Sequence, residues 1–193
     1  MSSFFAMLSR IKYIGRWGLM RSSRVETLSE HSLETAVIAH ALVAIGVEKF
    51  GCELNPETAA VIGMYHDVSE IITGDLPTPV KYKNESIINA YKSIEKEADK
   101  KLLSLLPSYM LPHFEKYFLS EESFPQYIPY VKAADKISAI IKCIEEEKSG
   151  NREFSNAARI LMQHESLNLP AAKIFLEEFL PAYSLTLDDI WED

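Results

Sequence analysis

Apolar positions recur at helical spacing along nearly the whole chain. Phe4, Phe5, Leu8 and Ile11 mark one face of a first helix that ends near Gly15. The stretch "TLSEHSLETAVIAHALVAIGVEKFG" follows, with Thr27 and Glu30 spaced as a capping box ahead of a long apolar stripe. Pro56, directly after Asn55, opens a third helix, which the pattern carries to about Ile72, just before Gly74. Ile87, Tyr91, Ile94, Ala98 and Leu102 predict a fourth, and a shorter one runs from about Tyr109 to Phe118 after Pro107. A long helix from about Ile128 to Ser149 stops at Gly150-Asn151, and two more, at about 153–165 and 170–180, close the chain. No strand-rich segment, internal repeat or glycine-rich phosphate loop interrupts this pattern. The expected fold is all-α, a compact helical bundle or orthogonal array. A chain of 193 residues is expected to form one domain, residues 1–193.

Composition narrows the function classes. With 47% hydrophobic and 25% charged residues the chain reads as an ordinary globular protein. Its net charge of −8 argues against a nucleic-acid polymer as partner, because phosphate backbones demand a broad basic surface. A small phosphorylated ligand is not excluded, since one local cation or metal can hold it. The two cysteines, Cys52 and Cys143, are far apart and in no paired motif, so they read as free thiols in a reducing cytosol. The longest apolar stretch, "AVIAHALVAIGV", is too short to span a bilayer, and "MSSFFAMLSRIKYIGRW" has no signal-peptide pattern. The expectation is a cytoplasmic protein with no membrane partner.

The titratable residues suggest chemistry. "MYHDVSEIITGDLPTPVK" carries His66 and Asp67 side by side, Glu70 one turn on, and Asp75 past a glycine. Neighbouring helical side chains point about 100° apart, so His66 and Asp67 can flank one point. His31 on the preceding helix and Asp135 on a later one complete a set of two imidazoles and two carboxylates. That mixed nitrogen and oxygen set suits one divalent transition metal such as Mn, Co, Fe, Ni or Zn, with positions left for water and a substrate oxygen. Such an ion lowers the pKa of water and polarises a phosphoryl oxygen. Glu70 is placed to orient that water or take its proton. The bland alternatives are a set of histidines that satisfy neighbouring carbonyls and a salt-bridged Asp135. His40, nine residues beyond His31, reads as core; His113 and His164 read as surface; the run Glu145-Glu146-Glu147 reads as a solvated face. Pro77 and Pro79 stiffen the loop from Asp75 through Leu76 to Thr78, which lowers the ordering cost of binding a ligand there. Arg16 offers a planar fork for phosphate and Trp17 a wall for a pocket, although alone they read more simply as a snorkelling cation and a core aromatic.

A histidine, then His-Asp, then a distant aspartate in an all-α chain resembles the HD-domain phosphohydrolases, at "SEHS", "YHDVSE" and "KAADK". "GRWGLMR", "HDVSEIITGDLPTPVKY", "VKAADKISAIIKCIEEEKSGNREF" and the tail "FLPAYSLTLDDI" narrow this to a resemblance to the bacterial HD-domain 5′-deoxynucleotidases over nearly the whole chain. The resemblance implies metal-dependent hydrolysis of deoxyribonucleoside 5′-monophosphates by a homodimer. It implies His31, His66, Asp67 and Asp135 as metal ligands, and Glu70 with Asp67 as the catalytic pair. It also implies Arg16, Trp17, His31, Asp75, Leu76, Pro77, Thr78 and Asp135 as substrate contacts, Asp75 accepting from the deoxyribose 3′-OH. No side-chain set dedicated to one base edge stands out, so several bases are expected to be accepted, with deoxyribose preferred over ribose. The rival readings are an HD phosphohydrolase of nucleoside triphosphates, cyclic nucleotides or alarmones, which needs a larger basic site, and a helical regulatory module without turnover.

Overall fold

The first amphipathic stretch splits in two. Helix α1 (Phe4–Leu8) tightens into a 3-10 turn, Ser9–Tyr13, and the chain then runs extended to meet Thr27 in a single antiparallel bridge at Gly15. This is a computed structural model, and it describes residues 1–81 and 83–191. Tyr82, which ends the loop motif, and Glu192 and Asp193 lie outside the described residues.

The Thr27 capping box forms. The Thr27 hydroxyl accepts from the Glu30 N–H, and the Glu30 carboxylate accepts from the Thr27 N–H at 2.7 Å. Helix α2 (Leu28–Phe50) then runs uninterrupted to Gly51, whose φ of 64° closes it in the left-handed conformation that glycine tolerates. Asn55 caps α3 (Pro56–Tyr65) by accepting from the Thr58 N–H at 2.7 Å. Helices α2 and α3 touch backbone to backbone at Gly63, where an added Cβ would lie 2.9 Å from the Ala36 Cα. That approach draws the C-terminal end of α3 in towards α2.

The predicted third helix does not continue to Ile72. It ends at Tyr65, and after a turn α4 (Glu70–Thr73) resumes. The cause is chemical: His66 Nδ1 donates to the Gly63 carbonyl at 2.7 Å, the acceptor that an unbroken helix would offer to the Asp67 N–H. The chain tightens to i→i−3 bonding, Val68 to Tyr65 and Glu70 to Asp67. Past Gly74 come α5 (Thr78–Lys81), α6 (Glu85–Leu103), α7 (Leu111–Phe118) and α8 (Ser120–Ser123). Helix α9 (Ile128–Lys148) packs against α2 and α3, burying Ile137, Ile140 and Ile141 against Ile38, Leu42 and Ile62. Helices α10 (Ser155–Leu161), α11 (Pro170–Glu178) and α12 (Leu187–Trp191), with short 3-10 turns between them, complete the chain. Phe4, Val68, Leu102, Leu103 and Phe118 form a second apolar cluster, which seats α1 beside the turn after α3. Among the described residues there is no strand, and no helix is long and apolar enough to cross a membrane.

Two expectations fail on side-chain placement. His40 is exposed while His31 is fully buried. Nine residues at about 100° each place the two half a turn apart, on opposite faces of α2. Glu146 is 1% exposed, so Glu145-Glu146-Glu147 is not a solvated face throughout. Glu146 accepts from Lys142 one turn earlier, from the Ser23 N–H at 2.8 Å and from the Asn151 side chain at 2.8 Å. Lys142 in turn donates to the Arg24 carbonyl at 2.7 Å, so this buried pair ties the segment before Thr27 to α9. His113 and His164 are exposed as expected, and Cys52 and Cys143 are both free, Cys143 buried and Cys52 half-buried.

Candidate metal centre and substrate cleft

Three helices deliver the four predicted ligands to one point. His31 comes from the first turns of α2, His66 and Asp67 from the end of α3, and Asp135 from the middle of α9. One potential ligand atom from each lies within 4.8 Å of all the others. His31 Nε2 stands 3.2 Å from Asp135 Oδ1 and 3.6 Å from Asp67 Oδ2, and His66 Nε2 stands 3.0 Å from Asp67 Oδ2. The two imidazole rings are 5.2 Å apart, a separation set by the Gly63–Ala36 contact.

The hydrogen bonds behind the rings decide which nitrogens face inward with lone pairs. His66 Nδ1 gives its proton to the Gly63 carbonyl. His31 Nδ1 lies 3.0 Å from the Ser138 hydroxyl, which spends its own proton on Glu34 at 2.6 Å and so accepts from the ring. Both Nε2 atoms are buried without an aligned hydrogen bond. With both Nδ1 protons directed outward, the rings in their neutral form turn two Nε2 lone pairs towards the two carboxylates. This is the donor set and the tautomer pattern that a divalent ion requires, with outer partners holding each ring. In the protein without an ion, a proton takes the cation's place. Burial opposes charging His66, but the Asp67 carboxylate outweighs it and pushes the ring up to about 9. Asp67 and Asp135 are held well below the usual carboxylate range, since the facing histidines outweigh the burial penalty.

Glu70 opens α4 and is 4% exposed, with Oε2 free of any hydrogen-bond partner. Burial, and then the carboxylates of Asp67 and Asp75, push its carboxyl up to about 9 against the pull of Lys81, whose ammonium lies 3.8 Å from Oε1. Arg16 Nη1 lies 3.7 Å from Asp67 Oδ2, and its Nε lies 3.4 Å from Glu26. Burial disfavours the charged guanidinium, but Glu26, Asp135, Asp67 and Asp75 together hold it firmly charged. Trp17 sits at φ 61°, rare for a bulky residue, with its indole N–H donating to Glu26 at 2.7 Å.

A cleft of about 610 Å³ opens beside this cluster. Arg16, Asp75 and Asp135 line its inner end, Leu76, Pro77 and Thr78 one side, and Trp17 to Met20 with the exposed face of α10 the outer part. Of the residues singled out from the sequence, Arg16, Trp17, Asp75, Leu76, Pro77, Thr78 and Asp135 line this cleft, whereas His31, His66, Asp67 and Glu70 are not among its lining residues. A smaller cleft of about 130 Å³ behind Glu26 is lined by Glu30, Glu34 and Glu145 together with Arg24 and Lys142, so carboxylates outnumber cations there. Sequence reasoning missed Ser138, Glu34 and Glu26. Ser138 stands three residues after Asp135, on the same face of α9, and that spacing is a usable signal. Glu26 has none, since it precedes the capping box in an irregular extended segment.

An all-α fold with His, His-Asp and Asp converging on one point defines the class as an HD-domain phosphohydrolase. The fold of an HD-domain phosphohydrolase from Listeria innocua agrees, with a TM-score of 0.80 over 94% of this chain and 88% of that one at 24% identity. A cyanophage S-2L HD phosphohydrolase, solved with dA and one catalytic Zn²⁺, shares the fold at a TM-score of 0.60 and 18% identity, over 94% of this chain and 96% of that one. The family profile described as 5′-deoxynucleotidase YfbR-like matches residues 3–183. A 5′-deoxynucleotidase of Vibrio parahaemolyticus is 48% identical over 190 residues, 98% of each chain. One from Photorhabdus laumondii is 47% identical over 191 residues, 98% of this chain and 97% of its own. The chain belongs to the YfbR-like 5′-deoxynucleotidase family, and with it to the phosphoric monoester hydrolases.

Proposed function

We propose that the chain, working as one HD-type unit over residues 1–193, hydrolyses deoxyribonucleoside 5′-monophosphates to deoxynucleosides and inorganic phosphate. The single observation behind this is the convergence of two imidazoles and two carboxylates on one point, with Arg16 3.7 Å from Asp67 and a cleft lined by Arg16 and Asp135 beside them. His31, His66, Asp67 and Asp135 would hold one divalent ion, Mn, Co or a similar metal. That ion would supply Lewis-acid charge to the phosphoryl group and lower the pKa of water.

The protein's own residues do the rest. Arg16 presents its terminal nitrogens to the phosphoryl oxygens, where charge gathers in the transition state. Glu70 orients the attacking water and accepts its proton; offsetting the negative charge of Asp67 relieves one of the three causes that raise its pKa, burial and Asp75 being the others. Asp75 accepts from the 3′-OH, while Leu76, Pro77 and Thr78 form the sugar side. Trp17 occupies the space that a ribose 2′-OH needs, which makes the enzyme selective for deoxyribose. The cleft is lined by apolar groups such as Leu19, Ala157 and Ile160 with Lys136, Glu153 and Asn156 among them, and its mainly apolar surface favours recognition of the base by contact, so several bases are accepted. The protein acts in the cytoplasm as a homodimer. The exposed Leu33 and Val37, one turn apart on α2, favour burial against a second copy.

The test is phosphate release from dAMP and from AMP, with Mn²⁺ or Co²⁺ and with chelator. The reading expects dAMP well above AMP and loss of release with chelator. Release that survives full metal removal would sink it.

A further inference from the structure

Between the phosphate arginine and the metal cluster lies a carboxylate that touches both. Glu26 is 9% exposed. Its Oε2 accepts from the Trp17 indole N–H at 2.7 Å and lies 3.4 Å from Arg16 Nε. Its Oε1 lies 3.7 Å from His31 Nδ1. Its backbone carbonyl accepts from the Arg16 N–H at 2.9 Å, and the Leu28 N–H donates to the Ile14 carbonyl at 2.8 Å, so two extended segments hold Glu26 opposite Arg16.

We infer that Glu26 is the positioning residue of this site: it fixes the Arg16 guanidinium and the Trp17 indole in register with the metal ligand His31. The inference rests on the proposed reading, in which Arg16 meets the phosphoryl group and Trp17 the sugar. Three features support it. A long arginine side chain has many rotamers, and the Glu26 carboxylate 3.4 Å from Nε draws that edge by charge, without an aligned hydrogen bond, and leaves Nη1 on the Asp67 side. Trp17 holds a left-handed backbone that a bulky residue adopts only when its surroundings enforce it, and Glu26 is the acceptor of its indole proton. Finally, one carboxylate spans the substrate-side and metal-side groups, so their spacing depends on one side chain. A residue that served only to neutralise a buried arginine would need neither the indole nor the approach to His31.

The experiment uses the full chain with Glu26→Gln, Arg16→Ala and the double variant, each loaded with Mn²⁺. kcat and KM are measured for dAMP and AMP, together with bound metal per chain. Glu26→Gln keeps the side chain's shape and loses its charge. The expected result is about a 10–100-fold fall in kcat/KM for dAMP, a smaller dAMP-to-AMP ratio and unchanged metal stoichiometry. The double variant should lose less than the product of the two single losses, because Glu26 acts in part through Arg16. Losses that multiply in the double variant, or unchanged kinetics with only a lower unfolding temperature, overturn the inference.

A second readout does not depend on turnover. The chain has two tryptophans, and Trp191 is 78% exposed, so in a Trp191→Phe background Trp17 alone reports. Adding Glu26→Gln, or Glu26→Asp if the glutamine variant does not fold, should increase quenching of Trp17 by acrylamide. Unchanged quenching overturns the inference even if the wild type proves inactive on dAMP, an outcome that would separately sink the deoxynucleotidase reading.

Discussion

Helix α9 carries two buried charged groups on one face, and they have opposite character. At its C-terminal end, Lys142 and Glu146 use their polar atoms on each other, on Arg24, on Ser23 and on Asn151. Nearer its start, Asp135 faces His31, His66 and Asp67, and the imidazole nitrogens that point inward have no aligned partner. Both sites hold charge away from bulk water, the Glu146 side chain at 1% exposure and the Asp135 side chain at 23%, and this difference of degree does not account for their chemistry. What separates them is whether the hydrogen bonds close. A closed set fixes chain geometry, whereas an open set of acceptors stores an unmet demand for a cation, and that demand is the mark of function.

The largest test of this contrast is activity. Asp67→Ala should cut phosphate release from dAMP on the order of 10³-fold, while the variant remains folded by circular dichroism. A second substitution should act the other way round. Glu146→Ala leaves the Lys142 ammonium buried and unpaired, so urea unfolding should show a loss of about 3 kcal/mol, with kcat changed much less than in Asp67→Ala. Equal effects of the two changes on stability would erase the distinction. The third test is metal addition. At a hundredfold excess over Kd, Mn²⁺ should stabilise the wild type and Glu146→Ala by about 2.7 kcal/mol and leave Asp67→Ala unmoved, as read from the shift in unfolding midpoint.

Gly63→Ala probes the spacing between the histidines. Its Cβ would sit 2.9 Å from the Ala36 backbone, so α2 and α3 must part, with a cost of about 2 kcal/mol and weaker metal binding by calorimetry. The smallest effect is a pH dependence. Burial works against charging Glu146, but Lys142, the Ser23 N–H and Asn151 hold it down to about 2. A depressed carboxylate stabilises the fold fully above its unfolded pKa of about 4.3, and that contribution is lost as pH falls towards about 2. Wild-type stability should therefore fall more steeply over this range than that of Glu146→Ala, by up to one proton in the slope of unfolding free energy against pH.

Much of the fold and the metal set was legible in the chain, and particular residues show why. Thr27 and Glu30, Asn55 and Pro56, and Gly51 act within a turn of themselves, so helix ends could be read locally. His31, His66, Asp67 and Asp135 were legible because their residue types and order are unusual in an all-helical background. The break at His66 was not legible, since it depends on a side chain claiming the Gly63 carbonyl. Nor was the burial of Glu146, because its partners Ser23 and Lys142 lie 123 and 4 residues away, and only the distant one reveals why the carboxylate turns inward.

The sequence by itself determined the helical class and the caps and singled out the four side chains that converge, because periodicity and capping are local and donor chemistry belongs to the residue type. Tertiary structure alone decided that Gly63 lets α2 and α3 touch, that Ser138 and the Gly63 carbonyl set both histidine tautomers, and that Glu26 stands between Arg16, Trp17 and His31. These relations join residues distant in the chain across distances of a few ångströms, and no local pattern of apolar and polar positions encodes them.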